Sequence, residues 1–190
     1  MKTALRAEAL ERRDRLDAET REAAAEAIAR AVESLASRLP DGVVAAYWPI
    51  RREADPRPAL ARLRALGHAS ALPVVTPDRL LFRLWAEADS LAPASFGLME
   101  PLGSAPLVEP ATLLVPLAAF DRRGHRIGYG KGHYDRTLAA LPPVTTIGIA
   151  YSVQEIPAIP DEPHDHPLDF VVTEREIVDC RQNRRSAARG

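Results

Sequence analysis

The sequence predicts an α/β fold: a single domain with a mainly parallel sheet flanked by helices on both faces. Three observations predict it. Apolar runs at 43–48, 112–116 and 145–150 read as buried strands, because strands covered on both faces give near-continuous hydrophobic stretches. Helical patterns separate several of these runs, and alternation of strand and helix is the mark of a parallel sheet. The 190 residues suit one domain, which buries roughly 70% of its unfolded surface and so needs no staples.

In chain order, residues 3–39 read as one or two helices rich in Ala, Arg and Glu, which are good helix formers. Ile28, Val32, Leu35 and Leu39 form one apolar stripe, Asp17 and Thr20 are N-cap candidates, and Pro40-Asp41-Gly42 is a stop. Val43–Trp48 reads as a strand. Pro56–Leu66 reads as a helix with Leu60, Leu63 and Leu66 inward, ended by Gly67. Ala71–Val75 and Leu80–Trp85 form a hairpin about Thr76-Pro77-Asp78. Residues 86–110 are proline-rich and read as irregular loop. Thr112–Pro116 is a strand, His133–Leu141 a helix stopped by Pro142-Pro143, and Thr145–Ala150 and Phe170–Thr173 are the last strands. The expected domain covers 1–180, with 181–190 a polar, basic, frayed tail.

Composition narrows the function classes. With 25 basic and 26 acidic residues the net charge is −1, which argues against a general nucleic-acid binder. Cys180 is the only cysteine, so no intrachain disulfide and no cysteine zinc site can form. No stretch approaches the roughly 18 apolar residues that span a bilayer. Glu8, Glu11, Asp14 and Asp17 interrupt the N-terminus, against a secretory signal or transit peptide. A soluble, cytoplasmic, monomeric protein without nucleic-acid or membrane partners is expected.

The chemistry concentrates in Val115–Arg136, where Gly124, Gly128, Gly130 and Gly132 fall within nine residues. Glycine lets a backbone approach a ligand closely, and successive N–H groups can form an anion-binding nest. Arg122, Arg123, Arg126, Lys131 and Arg136 add positive charge, and a helix starting near His133 adds its N-terminal dipole. Glycine alone would indicate only tight turns. Interleaving with Arg126 and Lys131, just after a buried strand, points to a polyphosphate. The loop is neither common phosphate motif: counted from Gly128, the last glycine of G-x-G-x-x-G would fall on His133, and Gly124 and Gly130 have five residues between them where a Walker loop has four. Any nucleotide here binds by another loop.

At these residues the chain resembles the 5-formyltetrahydrofolate cyclo-ligase (methenyltetrahydrofolate synthetase) family. Phe120-Asp121, Gly124, Arg126, Gly128-Tyr129-Gly130-Lys131-Gly132 and Tyr134-Asp135-Arg136 look like its signature. Lys2 and Arg6 match its N-terminal basic pair, and Trp48 and Glu53 its two substrate-contacting positions. Phe96-Gly97, Glu100-Pro101, Gly148–Tyr151, Gln154, Pro160, His164-Asp165 and Asp169 follow in the family's order. His133 stands where the family usually has Tyr, and Lys131 where many members have Gly.

The resemblance implies ATP-dependent cyclisation of 5-formyltetrahydrofolate to 5,10-methenyltetrahydrofolate, with ATP and magnesium as cofactors and folate as the small-molecule partner. It implies that Arg126, Lys131 and Asp135 are catalytic. ATP would meet Lys2, Arg6, Arg126, Gly128, Tyr129, Gly130, Lys131, Gly132, His133 and Tyr134. Folate would meet Trp48, Glu53 and Tyr134, and magnesium Asp135 and Asp165. Read as bare residues, the same positions admit plainer roles: loop charges for Arg126 and Lys131, a solvated helix face for Lys2 and Arg6, a helix cap for Asp135 and core packing for Trp48. His164-Asp165-His166 reads as surface loop rather than zinc site, and nothing marks Cys180 as a nucleophile. Two other classes stay open at this level: a non-catalytic nucleotide or folate module, and a sugar-phosphate or CoA-type α/β enzyme.

Overall fold

A computed structural model describes residues 1–94, 97–160, 162 and 165–187. The helices are α1 (Lys2–Asp14), α2 (Ala18–Ser34), α3 (Arg57–Ala65), α4 (His133–Ala140) and α5 (Cys180–Ala187). The strands run from β1 (Val43–Ala45), β2 (Ala69–Val75), β3 (Leu80–Leu84), β4 (Leu91–Pro93), β5 (Met99–Pro101) and β6 (Leu107–Val108) to β7 (Thr112–Pro116). They continue with β8 (Ala119–Phe120), β9 (Arg126–Ile127), β10 (Thr145–Ile149), β11 (Phe170–Val172) and β12 (Ile177–Asp179).

The large sheet has the order β12-β11-β10-β7-β1-β2-β3-β6. Its middle, β11-β10-β7-β1-β2, is parallel throughout, while β12, β3 and β6 pair antiparallel at the two sides. The expected parallel sheet is therefore present, with antiparallel flanks. From β1 the chain moves outward to β2 and β3, then returns to β7 on β1's other side and proceeds to β10 and β11. The strand order thus reverses between β1 and β7. In such sheets the ligand crevice lies beyond the C-terminal ends of the strands at that point.

Helices cover both faces. On one, Ile28, Ala29 and Val32 of α2 and Leu60 and Leu63 of α3 pack on Val44, Leu72, Leu114 and Ile147. On the other, Tyr134 and Leu138 of α4 and Cys180 of α5 pack with Leu113, Val115, Phe120, Val171 and Val178. A third, smaller cluster seats Leu5 and Ala9 of α1 against Ala119, Ile127, Ile156 and Ile159. Asp17 caps α2, its carboxylate accepting from Thr20 N at 2.7 Å, as the sequence suggests.

Several elements differ from the sequence reading. β1 stops at Ala45: Ala46 keeps one bond to Ala71 O at 3.0 Å, and Tyr47 and Trp48 beyond it line the crevice. Leu66 is 54% exposed rather than inward, since α3 ends at Ala65 and Leu66 sits on the turn beyond it. Residues 86–110 are not all irregular: β4 and β5 make a small hairpin, and β6 extends the sheet edge. The tail is helical from Cys180 to Ala187, fixed by Cys180, which is fully buried, and by Arg184. Among the described residues no helix is long and apolar enough to cross a membrane.

Candidate functional site

A cleft of about 540 Å³ opens at the β1/β7 switch point. It is walled by the start of α1 (Lys2, Arg6), the segment after β1 (Tyr47–Glu53), the β2–β3 hairpin (Pro73, Val75, Leu80), Leu98, Pro116 at the end of β7, the glycine loop from Arg126 to Asp135, and Glu162 with Asp165. Every residue that the family resemblance assigns to nucleotide, folate or metal lines this one cleft: Lys2, Arg6, Trp48, Glu53, Arg126, Gly128–Asp135 and Asp165. Arg122, Arg123 and Arg136, expected to add charge around the loop, do not line it: they bind Glu176, Asp121 and the carbonyl of Asp78. Two of the family landmarks, Phe96 and His164, lie outside the described residues.

The loop is shaped from below by Asp121. Its buried carboxylate accepts from the backbone N–H groups of Arg123 (2.9 Å), His125 (3.2 Å) and Ile159 (2.9 Å) and pairs with Arg123 at 2.8 Å. These bonds close a turn at Gly124, whose φ of +90° favours glycine and whose added Cβ would lie 2.5 Å from Leu168 O. The turn joins β8 to β9, a hairpin too short for its pattern to register in the sequence. β9 then presents Arg126 to the cleft. Its side chain is only 5% exposed. Its guanidinium donates to Asp135 Oδ1 at 2.8 Å and to His166 O at 2.8 Å.

From the opposite side, Arg6 Nε donates to Gly128 O at 2.7 Å. Lys2 Nζ pairs with Asp165 Oδ2 at 2.8 Å and with Glu162 at 3.5 Å. Gly130 has φ +89°, and a Cβ there would sit 3.6 Å from the Arg6 guanidinium, while nothing lies within 4 Å of a Cβ at Gly128. The loop backbone is thus bare toward the cleft. Lys131 is exposed at the rim. His133 opens α4; burial and then the charges of Arg136 and Lys131 lower its pKa, favouring the neutral ring.

The segment after β1 makes the other wall. Trp48 meets Trp85 edge-on, with centroids 6.2 Å apart at 86°, and Arg57 lies 4.9 Å over its ring. Both readings of Trp48 hold, since one part packs on the core and another faces the cleft. Tyr47 OH donates to Ala54 O and Tyr151 OH to Glu53 O, pinning the 50–54 turn in which Arg51 adopts a left-handed φ of +55°. Glu53 Oε2 accepts from Ile50 N at 2.9 Å. Burial raises the Glu53 pKa, against the opposing pull of the Ile50 N–H, the Tyr129 hydroxyl and the charges of Arg13 and Arg51. Burial also drives the Tyr134 phenol far above its ordinary value, helped by the Glu53 charge, so it remains a neutral hydroxyl.

Tyr129 departs from the simple phosphate-loop picture. Its backbone belongs to the loop, but its hydroxyl turns away to accept from Arg13 Nη1 at 2.8 Å. Burial first, then the Glu53 charge, pushes its pKa up to about 12. Arg13, Arg51 and Tyr47 were not singled out from the sequence. The signal for Arg13 was available: residues 2, 6 and 13 share one face of a helix with 3.6 residues per turn. Among the described residues no three His, Cys, Asp or Glu side chains converge on a metal position, and Asp165 is occupied by Lys2 and by Glu162 N–H at 2.9 Å.

Fold and cleft together define a doubly wound α/β protein with one switch-point crevice, walled by a basic glycine loop and by an aromatic, carboxylate-bearing segment. The sequence model of the 5-formyltetrahydrofolate cyclo-ligase family matches residues 1–174. The 5-formyltetrahydrofolate cyclo-ligase of Mycolicibacterium smegmatis is 34% identical over 191 residues, covering 95% of this chain and 97% of that protein. The Escherichia coli K12 protein of the same name is 33% identical over 143 residues, covering 70% and 79%. The solved structure of Aquifex aeolicus 5,10-methenyltetrahydrofolate synthetase superposes with a TM-score of 0.77 at 32% identity, covering 95% and 93%. That of the Mycoplasma pneumoniae synthetase gives 0.72 at 27% identity, covering 91% and 98%. This chain belongs to the 5-formyltetrahydrofolate cyclo-ligase family.

Proposed function

We propose that this chain catalyses the reaction of its family: ATP-dependent cyclisation of 5-formyltetrahydrofolate to 5,10-methenyltetrahydrofolate, with release of ADP and phosphate. The observation that carries the reading is the meeting of two unlike walls in one cleft, a bare glycine backbone ringed by Lys2, Arg6, Arg126 and Lys131, and an aromatic face holding Glu53. At about 540 Å³ the cleft is within the range of small-molecule sites.

In this reading the triphosphate lies along the glycine loop and the folate ring lies against Trp48. The formamide oxygen, a poor leaving group, attacks the γ-phosphorus and ADP departs. The carbon that bears the phosphorylated oxygen is then iminium-like; the folate's second nitrogen attacks it and gives up its proton, and the C–O bond breaks as phosphate leaves. The protein's part is positioning and charge stabilisation. Arg126 and Lys131 neutralise the transferring group, a guanidinium being suited to bidentate contact with phosphate oxygens. Glu53 accepts hydrogen bonds from N–H groups of the pterin.

Magnesium holds one or two carboxylates together with substrate phosphates and waters. Asp135, on the first turn of α4 beside the loop, and Asp165 are the carboxylates that would hold the ion; at present Asp135 Oδ1 pairs with Arg126 and Asp165 Oδ2 with Lys2. The ion would supply charge neutralisation at the phosphate oxygens. We assign the chain to the cytoplasm, acting as a monomer.

The test is spectroscopic. Protein mixed with 5-formyltetrahydrofolate, ATP and magnesium should develop the near-ultraviolet absorbance of the methenyl product, and only with ATP. Binding of both compounds with ATP left intact would make the chain a non-catalytic module instead. Arg126→Ala should lower turnover by about 10²–10³ while the far-ultraviolet dichroism is kept. Near-normal turnover would remove Arg126 from phosphoryl transfer.

A further inference from the structure

The glycine loop is the part of the cleft least able to hold its own shape. Gly130 and Gly132 sit at φ +89° and +65°, and nothing would meet a Cβ at Gly128 within 4 Å. Glycine loses more backbone freedom on ordering than any other residue, so such a stretch needs restraint from outside. Tyr129 carries the one side chain between Gly128 and Gly130, and its hydroxyl leaves the loop to accept from Arg13 Nη1 at 2.8 Å. Arg13 is a buried charge, 2% exposed, that does not line the cleft and has no part in the chemistry above. Burying a guanidinium is costly unless its donors are paired. Nε and Nη2 meet Asp14 Oδ1 at 2.8 and 2.7 Å, and the remaining end, Nη1, is spent on Tyr129.

Arg13 follows Arg6 by seven residues, close to two turns of helix, so both guanidinium groups leave the same face of α1. Arg6 takes the loop by its backbone, Nε donating to Gly128 O at 2.7 Å; Arg13 takes the next residue by its side chain. The helix thus grips two consecutive residues of the loop. Between the two grips, Ala9 of α1 is fully buried in the cluster that holds Ile127, at the root of the loop, so the grips stand on a packed base. We propose that Arg13 is a positioning residue for the nucleotide end of the cleft: by holding the Tyr129 hydroxyl it fixes the glycine loop in the form whose bare backbone meets the triphosphate. This deepens the function proposed above and rests on its placing of the triphosphate along the loop. Tyr129 gives its backbone to the phosphates and its hydroxyl to the clamp, while Arg13 touches neither substrate.

The test measures the Kd of a non-hydrolysable ATP analogue, and the KM for each substrate with the other saturating, in the parent, Arg13→Met, Tyr129→Phe and the double variant. A loop that is competent for only part of the time weakens apparent affinity by that fraction, and a hydrogen bond to a charged group is worth roughly ten-fold. Tyr129→Phe, which deletes one oxygen, should raise the analogue's Kd and the KM for ATP several-fold, up to about ten-fold, leaving the KM for 5-formyltetrahydrofolate within about two-fold. Arg13→Met should do the same. The double variant should be no worse than the poorer single one, because both changes remove one contact. An analogue Kd within about two-fold of the parent's in Tyr129→Phe, or losses that multiply in the double variant, would overturn the clamp while leaving ATP on the loop. Equal loss for both substrates would make Arg13 a packing residue and overturn it too. A parent that binds no analogue would refute the placing of the triphosphate, and the clamp with it. Should Arg13→Met fail to fold, Tyr129→Phe decides alone.

Discussion

At the residue scale the cleft holds groups that are poorly placed for stability, and Glu53 is the clearest. Burial raises its pKa above the ordinary 4.5, so the folded chain binds its proton more readily than the unfolded chain. The sign follows: stability is lost as pH rises from 4.5 through the folded pKa, and the cost is present in full above it. Glu53→Gln should therefore raise the melting temperature at pH 7.5, and the gain should vanish near pH 4. A melting temperature unchanged or lowered at pH 7.5 would mean that the Ile50, Tyr129 and Arg13 contacts already repay the burial. Lys2, Arg6, Trp48, Glu53 and Arg126 were legible from the sequence through the family signature. Their partners were not, because an ion pair such as Arg126 with Asp135 depends on how β9 and α4 approach one another. His133 shows the same limit: the sequence marks the departure from Tyr, and only burial beside Lys131 and Arg136 says that its ring tends to neutrality.

At the scale of elements, the long periodic helices and the buried strands β7 and β10 were readable, because each buries one contiguous apolar run. The two-residue strands β6, β8 and β9 were not, since their pairing is fixed by tertiary contacts. α5 is the instructive case. Its sequence, CRQNRRSA, carries almost no apolar signal, yet Cys180 is buried and Arg184 donates to Arg123 O at 2.7 Å and Leu168 O at 2.8 Å. Both carbonyls flank the Gly124 turn that feeds β9. Arg184→Ala leaves them short of a donor, which costs about 1–3 kcal/mol and should lower the melting temperature by roughly 2–4 °C for each kcal/mol. The KM for ATP should rise with it, because the turn that aims Arg126 loses its support. A melting temperature equal to the parent's would show that water replaces the guanidinium.

At the scale of the whole molecule, the cleft is assembled from segments far apart in sequence: residues 2–6, 47–53 and 126–135, with Glu162 and Asp165. Ligand binding should therefore tighten distant parts together. A non-hydrolysable ATP analogue at 100 times its Kd should add about 2.7 kcal/mol to the unfolding free energy. Hydrogen exchange should slow in the first turns of α1 as well as in the glycine loop. Protection confined to 126–135 would take Lys2 and Arg6 out of the nucleotide site.

By itself the sequence determined the α/β class, the parallel centre of the sheet and the identity of the glycine-rich basic loop. These depend on local composition and period, which a linear chain displays. The tertiary structure decided that α1 closes the cleft from the far side, that Asp121 and α5 shape the loop from beneath, and that Tyr129 turns its hydroxyl from the loop toward Arg13. Those are contacts between residues up to 163 positions apart, as between Lys2 and Asp165. Their free energy arises only when packing removes the competing water, so no local pattern records them.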